Sequence, residues 1–450
     1  MKLTLNELAK RAGGTLNGAD PTTQITGFTW DDRLVESGQV FLAIKGAKVD
    51  GHEFVNRAFA KGACVAMVEK PISGPHLLVN DLIKALGNLG RSIRDEFTGP
   101  VIGVTGSNGK TSVKEMIAAT ISPLGTVLKT EGNYNSEFTS PLVWTQLEPN
   151  HKSAVIEMGM RGYGQIDHLA SISKPTIGVI TMIGSAHIEM VGSREGIANA
   201  KSEMLAHLQS PKTCVFWQED AYLDILKSHA TGPIVTFGES PESDAKLVGY
   251  QTINLDESHC LVQIGGKDIQ FKLPTIGRHQ ARNACCALLV AHQLGVNLQD
   301  AAQALSQVKL PPMRMESKVI GGVTFLLDNY NASPDSFVAA LQTLAELPCQ
   351  GERMAIIGEM KELGDYTEIG HKQVGAALAN SELSQVIFYG ENASICKDEA
   401  ILQGYPVSQI QTATNIDQLK EFAKNAKAGD IVLVKGSRAL ALESALEFEQ

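Results

Sequence analysis

Residues 101–112 read VIGVTGSNGKTS, and no other stretch constrains the fold of this chain as tightly. A β-type apolar run over 101–104 meets a tight loop. The loop ends in Gly109-Lys110-Thr111, and a helical pattern follows over 112–119. Strand, glycine loop and helix in that order make a cradle for phosphate. Glycines let backbone N–H groups curl around phosphate oxygens, the helix N-terminus adds positive potential, and a lysine supplies a point charge. The Thr111 hydroxyl is suited to ligating Mg²⁺. The spacing departs from the widespread G-x-x-x-x-G-K-[ST], because Gly106 stands three residues before Gly109 and Gly103 six before. Gly106, Ser107, Asn108, Gly109, Lys110, Thr111 and Ser112 are the candidate triphosphate-binding residues.

The remainder of the 450 residues is long enough for two or three domains. Three α/β units separate by pattern: 1–98, with short alternating helices and strands; 99–312, opened by the phosphate loop; and 313–450, beyond the Pro311-Pro312 linker. In the second unit, apolar runs at 154–160, 176–184, 213–217 and 233–238 alternate with helical segments, which predicts a mainly parallel sheet. Residues 245–273 alternate about a Gly-Gly turn, as an antiparallel ribbon does. The third unit repeats the strand–helix pattern with strands at 323–328, 354–360, 386–390 and 430–436, a Rossmann-like arrangement.

A net charge of −10 and the lack of any Lys/Arg run argue against a nucleic-acid partner. Seven scattered cysteines, none in a C-x-x-C pair, read as neither a disulfide framework nor a zinc site. No run approaches the ~18 apolar residues of a membrane span, so a cytoplasmic protein is expected.

Polar residues gather just after several apolar strands, where open α/β sheets place ligands. Glu157 ends one such strand and could hold a cation; otherwise it is a solvated strand end. Taken singly, His187 reads as structural, Lys201 as a solvated helix lysine and Asn283 as a helix cap. The Asp328-Asn329-Tyr330-Asn331 stretch reads equally as an Asx turn. Lys435, Ser437 and Arg438, in KGSR, suit an anionic ligand.

Taken together and in order, these stretches resemble the Mur ligases, ATP-dependent amide-forming enzymes of peptidoglycan precursor synthesis. TGSNGKTS matches the family phosphate loop with its shorter spacing. EMGM, GSAHIE and AKSE match the central magnesium region, and GRHQARNA resembles the adenine-side helix. TWDDR and GAKVDGHEFVNRAFAKGA resemble the uridine-binding domain of the members that add the third residue and the terminal dipeptide. DNYNASPDS, GEMKELG and VKGSR look like the last-step member; the third-residue adder usually carries DNPR, which is absent here.

The resemblance implies UDP-N-acetylmuramoyl-tripeptide and D-Ala-D-Ala as substrates, an acyl-phosphate intermediate and a monomer. Thr111, Glu157, His187 and Lys201 would organise two Mg²⁺, with Lys201 carbamylated and Lys110 serving the phosphates. Asn283, Arg314 and Asp328 would reach the nucleotide. Asn331, Lys435, Ser437 and Arg438 would meet the peptide substrates, and Asp31, Arg33, Lys45, Asp50 and His52 the uridine diphosphate end. Ser136, Thr139, Met182, Gln280 and Met313 depart from the family pattern. The alternatives are the third-residue ligase and a P-loop NTPase switch, though the guanine-reading NKxD signal of such switches is missing.

Overall fold

The computed structural model describes residues 3–46 and 49–447, so Ala47 and Lys48 of the GAKVDGHEF stretch lie outside the described residues. Three sheets follow one another along the chain, of five, nine and six strands.

In the first sheet, Thr15–Asn17 runs antiparallel to His76–Leu78, and Val65–Val68, Gln39–Leu42 and Gly27–Thr29 continue it in parallel. The opening helix Leu5–Ala12 has a capping box: Thr4 Oγ1 accepts from the Glu7 N–H at 3.3 Å, and Glu7 Oε2 accepts from the Thr4 N–H at 2.8 Å. Gly13, at φ 73°, ends it in the left-handed turn that glycine adopts without penalty.

The central sheet runs Thr126–Lys129, His151–Glu157, Val101–Thr105, Ile177–Ile180, Thr213–Trp217, Ile234–Gly238 and Ala245–Thr252 in parallel. Ser258–Ile264 and Lys267–Leu273 then add antiparallel. Val101–Thr105 is buried along its whole length, as a parallel strand covered on both faces must be. Helix Lys110–Thr120 packs on it beside Arg278–Gln293, through Val113, Met116, Ile117, Ala284 and Leu288. The antiparallel ribbon and its Gly265-Gly266 turn, with both residues at positive φ, stand as expected.

The third sheet is ordered Glu316–Ile320, Val323–Leu327, Ile431–Lys435, Arg353–Gly358, Gln385–Tyr389 and Ile410–Ala413, with only the first pair antiparallel. Thr126–Lys129, Glu316–Ile320 and Ile410–Ala413 were not among the expected strands. They lie at sheet edges and are largely unburied, so their side chains carry little apolar signal.

Candidate active site

Where the sheets converge, a cleft of about 1340 Å³ takes its walls from all of them. The phosphate loop forms its floor. Gly106 has φ 147°, and a Cβ there would collide with Thr181 Oγ1; Gly109 has φ 83°, and a Cβ would lie 3.1 Å from Asn283 Oδ1. Both positions therefore demand glycine. Ser107 is buried; its N–H donates to Met182 O at 2.8 Å, and its Oγ accepts from the Gly184 N–H at 2.9 Å. Ser107 thus fastens the neighbouring loop rather than facing the cleft with its hydroxyl. Lys110 Nζ donates to the carbonyls of Gly106 (2.8 Å) and Ser107 (3.3 Å). Burial pushes its pKa down, against the pull of Glu157. Ser112 is buried within the helix.

Glu157 ends its strand buried. Its Oε1 accepts from Asn135 Nδ2 at 2.7 Å, while its Oε2 is buried with no partner. His187 sits in left-handed backbone with Nδ1 2.8 Å from Glu362 Oε2. Burial first, then repulsion from Lys110, Lys201 and Arg161, lowers its pKa to about 4. The imidazole is therefore neutral at pH 7. Lys201, on helix Arg194–Ser202, is 1% exposed. Burial, then Lys110, holds its pKa well below the usual lysine range, and no carboxylate pairs with it among the described residues. Among those residues, no group of three or more His, Cys, Asp and Glu side chains could by itself hold a metal ion. The free Glu157 oxygen, the Thr111 hydroxyl and the neutral His187 are suited to divalent cations that also take ligands from phosphate.

The third domain closes over this floor. Arg314 Nη2 donates to Thr111 Oγ1 at 3.0 Å, and its guanidinium lies 4.5 Å above the Tyr330 ring. Ser333 Oγ donates to Asn108 Oδ1 at 3.1 Å. Asp335 accepts from the Ser185 N–H (3.0 Å) and from Arg194 Nη2 (3.1 Å). Asp328 pairs with Lys435 at 2.6 Å, so this lysine, 1% exposed, answers a carboxylate of its own chain. Asn331 lines the cleft, and its Oδ1 accepts from the Ala332 N–H at 2.9 Å. Ser437 Oγ accepts from the Lys361 N–H at 2.8 Å, and half-exposed Arg438 pairs with Glu443. Neither belongs to the cleft lining. Asn283 does, and its Nδ2 donates to Gln280 Oε1 at 3.0 Å.

The five N-terminal candidates do not line the cleft; Trp30 and Ile44, each next to one of them in sequence, do. Asp31 accepts from the Arg33 N–H (2.9 Å), Nε (2.9 Å) and Nη2 (2.7 Å), which together lower its pKa to about 2. Asp50 accepts from the His52 N–H (3.0 Å), His52 Nδ1 (2.6 Å) and Lys70 (3.0 Å), and His52 Nε2 accepts from the Glu69 N–H at 3.3 Å. Lys45 bridges Asp50 through the backbone.

Other lining residues escaped sequence reasoning: Trp30, Asn135, Thr181, Arg194, His279 and Asp335. Trp30, His279 and Asp335 lie inside motifs already singled out, Asn135 stands next to Ser136, and Thr181 directly follows a strand end, so position was a usable signal. Trp30 meets the Tyr134 ring of the central domain at 5.5 Å, which no local pattern encodes.

Three family models match in chain order: Mur ligase family, catalytic domain, over residues 24–91; Mur ligase middle domain over 104–291; and Mur ligase, glutamate ligase domain, over 313–438. The chain is 35% identical to the UDP-N-acetylmuramoyl-tripeptide–D-alanyl-D-alanine ligase of Bacillus subtilis, covering 98% of this chain and 97% of that one. The Escherichia coli enzyme of the same description is 31% identical, over 98% and 97%. A crystal structure of MurF from Acinetobacter baumannii superposes with a TM-score of 0.89 at 31% identity, over 99% and 98% of the two chains. With the order of its domains and nearly its whole length accounted for in this way, the chain belongs to the Mur ligase family.

Proposed function

We propose that this enzyme joins D-alanyl-D-alanine to the C-terminal carboxylate of UDP-N-acetylmuramoyl-tripeptide, converting ATP to ADP and phosphate and giving a UDP-pentapeptide precursor of peptidoglycan. The likeness along nearly the whole chain to the Bacillus subtilis ligase carries this reading. The tripeptide carboxylate attacks the γ-phosphorus and ADP leaves. The dipeptide amine then attacks the acyl-phosphate carbonyl and phosphate leaves. Two anions must meet in the first step, so the site must offset their repulsion. Lys110 and the N–H groups of the phosphate loop face the phosphates for that purpose.

Thr111 and the free oxygen of Glu157 would hold one Mg²⁺, and His187 with a carbamylated Lys201 a second. When bound, such ions neutralise phosphate oxygens and draw the reacting anions together. Burial of Lys201 without a carboxylate partner among the described residues supports the carbamate, since the depressed pKa leaves a lone pair for CO₂. Arg314 and Asp328 would tie third-domain closure to the nucleotide, beside Asn283. Asn331 and Arg438 would face the peptide substrates from the edge of the third sheet, with Lys435 and Ser437 shaping that edge. The uridine end would fall to the N-terminal domain at Trp30 and Ile44, with Asp31, Arg33, Lys45, Asp50 and His52 shaping the loops beside them.

The test is ADP release with UDP-tripeptide, with and without D-Ala-D-Ala. Release coupled one-to-one to dipeptide consumption is expected. Consumption of free diaminopimelate or lysine with a UDP-dipeptide instead would replace this reading by the third-residue ligase.

A further inference from the structure

Two non-glycine residues in left-handed backbone meet across the boundary between the central and third domains. His187 has φ 62° and Glu362 φ 63°. Such residues keep this conformation only where their surroundings fix it, and here the surroundings can be named. Gly364, at φ 50°, presses on the central domain so closely that a Cβ would lie 2.6 Å from Glu189 Cγ. From behind, fully buried His371 accepts from the Met360 N–H through Nε2 at 3.1 Å and holds Thr367 O through Nδ1 at 2.7 Å. The Lys361 N–H is anchored on Ser437, and Met360 and Leu363 are buried in the core. The segment is thus a braced arm, and it delivers the Glu362 carboxylate to 2.8 Å from His187 Nδ1.

A carboxylate oxygen can only accept, so a hydrogen resides on Nδ1, and the neutral ring then keeps its lone pair on Nε2. A histidine that donates one ring N–H to a carboxylate while offering the other nitrogen to a cation is oriented and made more basic by that partner. We propose that Glu362 is a positioning residue for the ligase reaction, fixing His187 in the Nδ1–H tautomer so that Nε2 is the nitrogen offered to the cation. Because Glu362 comes from the third domain and His187 from the central one, His187 becomes a competent ligand only when the two are docked. The inference rests on the reading of His187 as a cation ligand; the tautomer itself does not.

The test uses the full chain and two readouts that need no turnover. The first is the ¹⁵N chemical shift of the His187 ring without metal or nucleotide, assigned against His187→Gln. The wild type should hold the Nδ1–H tautomer, and Glu362→Ala should relax it to a mixture. The second is Mn²⁺ affinity beside a non-hydrolysable ATP analogue, read by electron paramagnetic resonance. Glu362→Ala should weaken it roughly 10–100-fold, and Glu362→Gln, whose carbonyl still accepts, should fall between it and the wild type. Should the alanine variant not fold, Glu362→Met, of similar length and without an acceptor, takes its place. A wild-type mixture of tautomers, or an unchanged tautomer in the alanine variant, overturns the proposal. So does a changed tautomer with unchanged Mn²⁺ affinity. If both readouts respond as expected in a protein that consumes no D-Ala-D-Ala, the reaction assigned above falls and the Glu362–His187 pairing stands.

Discussion

In the central domain, Glu157 on the cleft wall keeps a buried carboxylate oxygen without a hydrogen-bond partner, and Lys201, outside the cleft lining, lies buried with no carboxylate paired to it, both among the described residues. In the N-terminal domain the opposite holds. Asp31 is enclosed by Arg33, and Asp50 is shared between His52 and Lys70. A buried polar atom left without a partner costs a fold free energy, so a protein that retains such atoms on both residues leaves their partners to a ligand. A carboxylate whose hydrogen bonds are complete within its own loop is explained by that loop. The difference separates groups that await a substrate from groups that hold the frame, although both sets carry the same residue types.

The first way to break the comparison is Lys201→Ala. If the buried amine awaits CO₂ and cations, turnover should fall at least about 10²–10³-fold. Added small carboxylates should restore part of it by filling the space. Full activity in CO₂-depleted buffer, read as ADP release, would end the argument. Lys110→Ala comes next, with a loss of roughly 10²-fold in kcat at saturating ATP and magnesium; a near-wild-type kcat would remove Lys110 from the phosphates. Arg314→Ala tests whether the third domain shares the central wall's character. Its guanidinium stands over the phosphate loop at Thr111, and if it reaches the nucleotide as proposed, its loss should weaken ATP binding roughly tenfold by calorimetry. Arg438→Ala should do less. Its guanidinium is already paired with Glu443, so the KM for D-Ala-D-Ala should rise no more than about tenfold, with the KM for ATP unchanged. A rise confined to ATP would place Arg438 on the nucleotide side instead.

Much of this was legible in the sequence, for identifiable reasons. The phosphate loop announces itself because backbone geometry at Gly106 and Gly109 admits only glycine. Buried parallel strands read as apolar runs because both their faces are covered. Edge strands such as Glu316–Ile320 carry no such run and were passed over. The order Glu157, His187, Lys201 suggests one site; Glu157 and His187 line the cleft, and buried Lys201 lies outside its lining, near enough to Lys110 and His187 for their charges to interact. What could not be read was which polar groups pair with each other. Lys435 looked free in KGSR, yet Asp328 on another strand holds it. Glu362 lies inside the GEMKELG motif, but nothing in that motif says that it meets His187 from a different domain. Pairings between distant strands are set by topology, and sequence spacing does not encode them.

The smallest effect on activity belongs to Asp50→Asn. Asp50 caps the turn Gly51–Phe54, accepting from the His52 N–H. That bond first, then His52 Nδ1 and Lys70, holds its pKa below the usual carboxylate range. In the unfolded chain the group titrates near the ordinary value of about 4. The folded state therefore keeps its charge to lower pH than the unfolded state does. Its contribution is complete above about pH 4 and is lost as pH falls from there toward the depressed native value. The variant should consequently melt a few degrees below the wild type at pH 7, and the gap should narrow below about pH 4. The KM for UDP-tripeptide should stay within about twofold of the wild type, because Asp50 does not line the cleft. Thermal scans across pH and steady-state kinetics on the same preparation decide it. A tenfold rise in that KM with an unchanged melting temperature would mean that Asp50 touches the substrate after all. The N-terminal wall would then have to be counted with the central one, as a surface whose charges are held for a ligand.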